Sequence, residues 1–287
     1  MNHSMINALV SMQAIQQKLD VIANNIANVN TTGYKRREAS FQDILTSVYR
    51  QPPGFQLAGR LTPLGLPQGW GAKIGQIGLS MEQGSLMPTY RAYDLAIEGE
   101  GLFEIRLDVP DGEGNPEIRW TRDGAFQLTY DPAEPGMMML ATQEGYPVLG
   151  TDGQPIRIPV NHTPRIDEEG RVWLTDEARP EAEPQLAGQL KIVRALRPQV
   201  LINDGANLFR LPPGVAAEGV LETVDMEAMR AGDQRKIAVR QGFLEQSNVN
   251  LTDELTELMT VQRAYQLNAR AIISSDTLMS LANNLRA

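Results

Sequence analysis

Apolar side chains recur at alternating intervals of four and three residues along the first 26 residues of this chain. Such a repeat keeps its members on one narrow stripe of an α-helix and is typical of a helix that pairs with another helix. A helix that lies on the core of its own domain usually carries a third apolar column, and this stripe is narrower. The N-terminus is therefore predicted to contribute a coiled-coil seam. The seam residues are Met1, Met5, Ala8, Met12, Ile15, Leu19, Ile22 and Ile26.

The C-terminal end predicts a second helix, from about Leu251 to Leu285 and roughly 50 Å long. Asn250 is its candidate N-cap, and Asp253 and Glu254 place negative charge in its first turn, where the helix dipole favours it. Two apolar columns lie on neighbouring faces. The first column contains Leu251, Leu255, Leu258, Tyr265, Ala269, Ile272 and Met279, interrupted by Gln262 and Asp276, and the second contains Ala264, Leu267, Ala271, Leu278, Leu281 and Leu285.

A long terminal helix with two apolar faces is difficult to bury within one subunit of this size. One face can hold the N-terminal helix, and the other requires a further partner. Self-assembly through the paired chain ends is the expectation that follows, so the partner is predicted to be a homo-polymer of the same chain.

The stretch "NNIANVNTTGYKRR", Asn24 to Arg37, places four asparagines and a glycine directly after the first helix. Asparagine amides can bond backbone groups at a helix end or bond a neighbouring subunit, and a simple helix cap and turn requires only one or two of them. Gly33 can adopt a left-handed conformation there. The complete predicted assembly interface is Met12, Ile15, Leu19, Ile22, Asn24, Asn25, Ile26, Asn28, Asn30, Gly33, Tyr34, Asn248, Asn250, Leu251, Leu255, Leu258, Gln262, Tyr265, Ala269 and Ile272.

Composition narrows the possible chemistry. The chain has no cysteine, which excludes a disulfide framework and any thiolate-based site, and only two histidines. A net charge of −9 disfavours nucleic acid as a partner. No segment predicts membrane insertion, and the N-terminus lacks the features of a cleavable secretory signal.

The middle of the chain changes character. Residues 46–90 are rich in proline and glycine but also apolar, which predicts an extended segment that packs against its own or another subunit. Residues 91–245 contain short alternating strands separated by turn residues, which predicts an all-β barrel or sandwich. Asp123-Gly124 lies between two such runs and predicts a hairpin turn. The predicted fold is α+β, with terminal helices of residues 1–45 and 246–287 pairing around this all-β centre.

We find no catalytic, cofactor-binding or metal-binding motif in the sequence. "DGEGN", Asp111 to Asn115, resembles the start of a calcium loop, but Pro116 stands where that loop needs glycine. Phosphate-loop, dinucleotide, nucleophile-elbow and zinc-helix patterns are absent. The chain is therefore predicted not to be an enzyme and to need no cofactor.

Two long motifs at opposite ends resemble one known family. "LDVIANNIANVNTTGYKRREASFQDIL", Leu19 to Leu45, and "SNVNLTDELTELMTVQRAYQLNARAI", Ser247 to Ile272, are similar to the terminal signatures of the bacterial flagellar rod and hook proteins. "DLAIEGEGLFEI" and "WTRDGAFQLTYD" resemble interior motifs of the same family. Length, the C-terminal motif and the segment after the first helix most resemble the distal rod members. The chain departs from them in longer loops at Asp108–Pro116, Pro132–Met139 and Ala178–Pro184.

This resemblance implies a structural subunit of the flagellar basal-body rod, a rigid shaft that transmits torque from motor to hook. Its partners would be further copies, other rod and hook subunits, and the flagellar type III export apparatus. Its location would be the basal body outside the cytoplasmic membrane, with the terminal helices forming an inner tube and the β domain the outer surface. The alternatives are a proximal rod or hook-like axial paralogue, a secreted adhesin-type structural protein and, more remotely, a β-domain hydrolase.

Overall fold

The computed structural model describes residues 2–44, 46–50, 65–110, 116–131, 134, 136–176, 183–226 and 237–285. The chain divides into two compact units. The first unit combines the two chain ends and comprises Met1–Ala27, Arg37–Gly78 and Asn250–Ala287. The second unit comprises Asn28–Arg36 and Leu79–Val249. No helix in the described part of the chain is long and apolar enough to cross a membrane.

Two long helices form the larger part of the first unit and confirm the helix predicted at each end. Helix α1 spans Asn2–Ala27 and helix α2 spans Leu251–Asn284. The helices pack against each other and run antiparallel, because Lys18 meets Glu257 while the later Asn25 meets the earlier Glu254. Every described seam position of α1 is buried or half-buried, and Ile22 is 2% exposed. The apolar repeat of α1 therefore marks the face that packs.

Four strands complete the first unit: β1 (Arg37–Asp43), β2 (Thr46–Arg50), β3 (Gly65–Gly69) and β4 (Ala72–Leu79). Strand β1 pairs with β4, and β2 pairs antiparallel with β3. The extended segment predicted for residues 46–90 thus contributes strands, although residues 51–64 lie outside the described part. It contacts α1 directly, since the Asn7 side chain donates to the Gly69 carbonyl at 2.8 Å.

The second unit is a β body. Its strands are β5 (Leu86–Pro88), β6 (Leu95–Glu98), β7 (Leu102–Pro110), β8 (Pro116–Thr121), β9 (Gln127–Tyr130), β10 (Met137–Ala141), β11 (Arg157–Pro159), β12 (His162–Ile166), β13 (Arg171–Asp176), β14 (Gln185–Gln189), β15 (Ile192–Ala195), β16 (Ile202–Asn203), β17 (Leu208–Arg210), β18 (Leu221–Thr223), β19 (Ala238–Gln241) and β20 (Phe243–Glu245). A mostly β centre is therefore confirmed.

One six-stranded sheet organises this body, in the order β16-β17-β8-β7-β15-β18. Two three-stranded sheets, β11-β10-β9 and β12-β13-β14, and the pairs β19-β6 and β20-β5 surround it. Neighbouring residues of one strand enter different cores: Phe103 belongs to the main cluster and Leu102 to a second cluster around Trp120 and Phe209. Strand β7 is thus buried on both faces where it begins, between the two hydrophobic clusters.

The hairpin predicted at Asp123-Gly124 is wrong. Strand β8 lies between β7 and β17, whereas β9 pairs with β10 in another sheet. Residues 122–126 instead pass beside β6, where the Leu95 N–H donates to the Gly124 carbonyl at 3.0 Å. A Cβ on Gly124 would lie 1.6 Å from the Leu95 carbonyl oxygen. This glycine allows a close backbone crossing rather than a two-residue turn. The calcium-like stretch Asp111 to Asn115 and most of the predicted longer loops lie outside the described residues.

Candidate assembly junction

Asn25, near the C-terminal end of α1, holds the chain that returns to the first unit. Its Oδ1 accepts the Arg37 N–H at 3.0 Å and its Nδ2 donates to the Arg37 carbonyl at 2.9 Å. The same Nδ2 lies 3.3 Å from Glu254 Oε2 on α2, and Asn25 and Glu254 are 1% and 2% exposed. One amide therefore satisfies backbone groups of β1 and reaches the partner helix, which no apolar residue could do.

The other asparagines of the signature have different environments. Asn28 stands in a turn, where its Oδ1 accepts from the Thr31 hydroxyl at 3.2 Å and its carbonyl from the Thr31 N–H. Asn24 and Asn30 are exposed. Asn25 and Asn28 thus have hydrogen-bond partners within the subunit, and Asn24 and Asn30 lie at the surface.

Helix α2 half-buries five of the seven residues in the first predicted column, and the two that begin the column are exposed. Its described buried or half-buried positions with four-three spacing are Glu254, Leu258, Val261, Tyr265, Asn268, Ile272, Ser275 and Met279. Leu258, Tyr265, Ile272 and Met279 belong to the predicted column, and the predicted Ala269 is half-buried beside them. The predicted interface residues Leu251, Leu255 and Gln262 are exposed. The start is as predicted: Asn250 Oδ1 accepts the Thr252 N–H at 3.0 Å.

Large apolar side chains remain exposed elsewhere on both helices. On α2, Leu251, Leu255 and Met259 form one column, and Ile273 lies further along the same side. A second column contains Leu267, Leu278 and Leu281, and Leu285 follows it directly after the helix ends. Leu281, for example, is 59% exposed. Helix α1 adds Ile6 and Leu9. We call these residues the exposed helix columns.

Residues 28–36 belong to the second unit although they follow α1 directly. The Thr32 hydroxyl donates to Asp123 Oδ1 at 3.0 Å, and Asn207 Nδ2 donates to the Thr32 carbonyl at 2.8 Å. Gly33 has φ +67°, and a Cβ there would lie 2.6 Å from the Asp123 backbone nitrogen. Gly33 is therefore required for close backbone approach six residues after the helix ends, and not as the helix cap.

A buried cluster of three charges fixes this segment within the β body. Lys35 Nζ donates to Glu245 Oε1 at 2.8 Å and to the Glu82 carbonyl at 2.7 Å. Arg122 Nε donates to the other oxygen of Glu245, and its remaining nitrogens donate to the carbonyls of Gly101, Ile97 and Gly99. The three charged side chains are 1–2% exposed. We call Lys35, Arg122 and Glu245 the charge cluster.

The charge cluster is balanced by backbone groups. The Gly84 N–H donates to Glu245 Oε1 at 2.8 Å, so both carboxylate oxygens are occupied. Burial, and then the neighbouring Arg122, lower the pKa of Lys35, while Glu245 opposes this. Two cations and one anion in a dry site persist only because carbonyl oxygens complete the coordination of Arg122.

Asp123 and Asn248 hold the two ends of the segment. Burial raises the pKa of the Asp123 carboxyl, against hydrogen bonds from Ala125 N–H and Thr32 that lower it. Asn248 Oδ1 accepts the Arg36 N–H at 2.7 Å, and its Nδ2 donates to the carbonyls of Ser80 and Glu82. A predicted interface residue, Asn248, thus acts within the β body.

No local pattern in the sequence indicates the charge cluster. The cluster joins residues 210 positions apart, and Lys35 and Arg122 are ordinary basic residues in their local context. The available signal was that Glu245 lies two residues before the C-terminal motif and that Lys35 lies within the N-terminal one. Within the described residues, no three histidine, cysteine, aspartate or glutamate side chains are grouped as metal ligands.

Three family models match this chain. The model described as "Flagella basal body rod protein" matches residues 6–35. "Flagellar hook protein FlgE/F/G D1 domain" matches residues 96–174, and "Flagellar basal body rod FlgEFG protein C-terminal" matches residues 240–285. The matches therefore include both chain ends and part of the β body.

Curated relatives are similar over nearly the whole chain. "Flagellar basal-body rod protein FlgG" of Borreliella burgdorferi is 35% identical over 97% of both chains. The protein of the same name in Bacillus subtilis is 34% identical over all of both chains. "Flagellar hook-basal body complex protein FlhP" of Bacillus subtilis is 31% identical, again over all of both chains.

Proposed function

The chain belongs to the flagellar basal-body rod protein family and is a structural subunit of the rod, and we propose that copies of it polymerise through their terminal helices. The FlgG-like relatives and the two terminal matches support the family assignment. Its setting is the flagellar basal body. We propose that it lies in the distal part of the rod, outside the cytoplasmic membrane, and the similarity to relatives named FlgG along nearly the whole chain supports this.

The observation that carries the polymerisation proposal is the set of exposed helix columns. Leu267, Leu278, Leu281 and Leu285 repeat on one side of α2, away from the positions buried in the helix pair. Each fully buried leucine contributes about 2 kcal/mol, so a column of four left in water is a large unsatisfied hydrophobic surface. Surfaces of this kind are typical of protein interfaces.

The second column supports contact with more than one neighbour. Leu251, Leu255 and Met259 lie on another side of α2 from the Leu267–Leu285 column, as their helical spacing requires. A subunit with apolar columns on two sides can bind one copy at each side, and such heterologous contacts generate filaments rather than closed dimers. The exposed Ile6 and Leu9 of α1 supply apolar surface of the same kind.

We further propose that the helices of assembled subunits form coiled-coil contacts, and that this packing gives the rod the stiffness to transmit torque. The four-three spacing of the buried positions in α2 supports that geometry. The role needs no catalytic step. Export through the flagellar type III apparatus, and contact with neighbouring rod and hook subunits, complete the proposed setting.

The experiment compares Leu281→Asp with Leu281→Met in cells that lack the normal copy of the gene. Leu281 is exposed, so neither change should unfold the subunit. The aspartate places a charge in the proposed interface and should remove the chain from purified hook–basal bodies and abolish swimming, whereas methionine should preserve both. Quantitative mass spectrometry of the purified particles measures incorporation. Normal incorporation of Leu281→Asp would contradict the proposed interface, and absence of the unaltered chain would contradict the rod assignment.

A further inference from the structure

A groove of about 530 Å³ opens on the β body, away from the charge cluster residues. Its walls are residues 88–92 after β5, Pro164 and Arg165 of β12, and the turn from Gln241 to Phe243. Two proline rings, two aromatic rings and two arginines face this space, and no carboxylate is among the lining residues. The junction described above uses none of these side chains.

Gln241 holds the walls of the groove together. Its Nε2 donates to the Ala92 carbonyl at 2.8 Å and to the Pro164 carbonyl at 3.1 Å, and its Oε1 accepts the Ile166 N–H at 3.1 Å. The Gln241 side chain therefore connects its own turn to the segment after β5 and to strand β12. The groove is preformed, which lowers the entropy that a binding partner must lose.

Tyr90 projects from the groove at an unusual backbone conformation. Its φ is +58°, and its side chain is 90% exposed. The conformation is held because the N–H groups of Thr89 and Tyr90 both donate to the Gly242 carbonyl, at 2.8 and 3.2 Å. Positive φ is uncommon for a bulky residue, and strained backbone of this kind clusters at functional sites.

The arginines give the groove a positive charge on an acidic protein. The Arg91 side chain is 61% exposed, and its one ion pair with a described residue is a long contact of 3.7 Å with the buried Asp94. Arg165 is exposed and forms no ion pair with the residues that the structure describes. The whole chain carries a net charge of −9. Two poorly neutralised cations beside Tyr90 therefore favour a partner that brings carboxylates.

We propose that this groove docks an acidic surface segment of a second copy of the chain, as a contact between β bodies in the rod. The inference rests on the proposed polymerisation. Copies that each carry −9 repel one another, so a stable polymer needs local sites where carboxylates of one copy meet cations of the next. Tyrosine and arginine are the residue types that most often dominate the binding energy at such contacts.

The test is site-specific photo-crosslinking in assembled particles. Tyr90 is replaced by p-benzoylphenylalanine, which keeps an aromatic ring, and purified hook–basal bodies are illuminated. The expected result is a covalent dimer of this chain, and mass spectrometry should locate the attachment in an acidic peptide of the second copy. A crosslink to a different protein, a crosslink within one copy only, or no product would overturn the proposal.

Charge variants supply the controls. Arg91→Glu with Arg165→Glu should lower the dimer yield about tenfold or more, while the double change to lysine should retain most of it. Arg197→Glu reverses an exposed arginine outside the groove and should have no effect. An equal loss with Arg197→Glu would overturn the proposal. Failure of the rod assignment is distinguishable, because the chain would then be missing from the particles, whereas failure of the groove leaves the chain present without the dimer.

Discussion

Glu245 illustrates how much one buried side chain can determine. Its carboxylate accepts hydrogen bonds from Lys35, Arg122 and the Gly84 N–H. Its backbone carbonyl accepts the Gly33 N–H at 2.9 Å. Residues from three separate parts of the sequence therefore meet at one glutamate. Because the site is dry, each charge depends on the others, and removal of the single anion leaves two cations uncompensated.

Glu245→Gln should lower the free energy of unfolding of the β body by about 3–5 kcal/mol, since a neutral amide cannot balance Lys35 and Arg122. The matched control is Glu98→Gln, which breaks the half-exposed ion pair of Glu98 with Arg240. That change should cost less than about 1 kcal/mol. Urea unfolding followed by tryptophan fluorescence measures both. Equal effects would show that burial does not govern the cluster.

Gly33→Ala tests whether the close approach of the Asp123 backbone adds to the cost of placing a side chain at positive φ. Gly33 and Gly153 both have positive φ, +67° and +74°, but only Gly33 has neighbours within 3 Å of an added Cβ. Gly153→Ala should cost about 1 kcal/mol for the left-handed conformation, and Gly33→Ala at least about 2 kcal/mol more. The measurement is again urea unfolding. Similar losses would mean that the segment can shift to make room.

Asp123 predicts a specific pH dependence. Burial raises its pKa above 3.8, so just above that pH the folded protein keeps a proton that the unfolded chain has released. The free energy of unfolding should therefore fall as pH rises through this window. Asp123→Asn keeps an oxygen to accept from Thr32 but cannot titrate, so that fall should disappear. Unfolding curves from about pH 4 to about pH 7 compare the two proteins. An identical slope in both would contradict the assignment.

At the scale of elements, α2 shows that an apolar residue in a helical repeat need not face the partner helix. Glu254 and Asn268 occupy positions of the buried or half-buried column, while Leu255 is 43% exposed. The partner amide Asn25 explains why a carboxylate is accepted at Glu254. The sides of α2 that lie away from α1 then carry the exposed helix columns.

Val261→Ala and Leu255→Ala separate the two roles of α2. Val261 is 7% exposed, so its truncation should destabilise the helix pair by about 1–2 kcal/mol. Leu255→Ala should change the stability of the isolated subunit by less than about 0.5 kcal/mol but reduce incorporation into the rod. Thermal unfolding by circular dichroism and mass spectrometry of purified particles give the two readouts. A larger loss of stability from Leu255→Ala than from Val261→Ala would support the packing column predicted from the sequence instead.

At the scale of the whole molecule, each unit has its own buried groups. The first unit is formed from the two chain ends and has two long helices with few buried large side chains, whereas the second contains both hydrophobic clusters. The helical signal therefore reports largely on the first unit, and two of the three tryptophans, Trp120 and Trp173, report on the second. Because the helices retain exposed apolar columns, their stability should depend on contact with further copies.

The corresponding prediction is a concentration-dependent helix transition. A rise of about tenfold in protein concentration should increase the midpoint temperature of the far-ultraviolet helical signal, because association stabilises only the state that binds. In a Trp70→Phe background, the near-ultraviolet tryptophan signal comes from Trp120 and Trp173 of the β body and should change little. Leu281→Asp should abolish the dependence. A midpoint independent of concentration would contradict association through the helices.

The sequence by itself determined the elements whose pattern is local and repeated. A four-three repeat specifies a helix with a packing face, and the Asn250 cap and the short apolar runs of the β body are likewise readable from neighbouring residues. The terminal motifs determined the family for the same reason, since each is a continuous stretch. Local spacing predicts which residues share a face of a helix, but not which face packs against the partner helix. It therefore could not predict that Glu254 is buried and Leu255 is exposed.

Only the tertiary structure decided which distant residues meet. Lys35 and Glu245 are 210 positions apart, and Asn25 and Glu254 are 229 apart, so no local pattern relates them. Gly124 looked like a hairpin glycine because its neighbours alternate, yet it serves a crossing with Leu95 that sequence spacing does not encode. The physical reason is that burial and charge balance depend on the surroundings in space, and the fold brings those surroundings together from the whole chain.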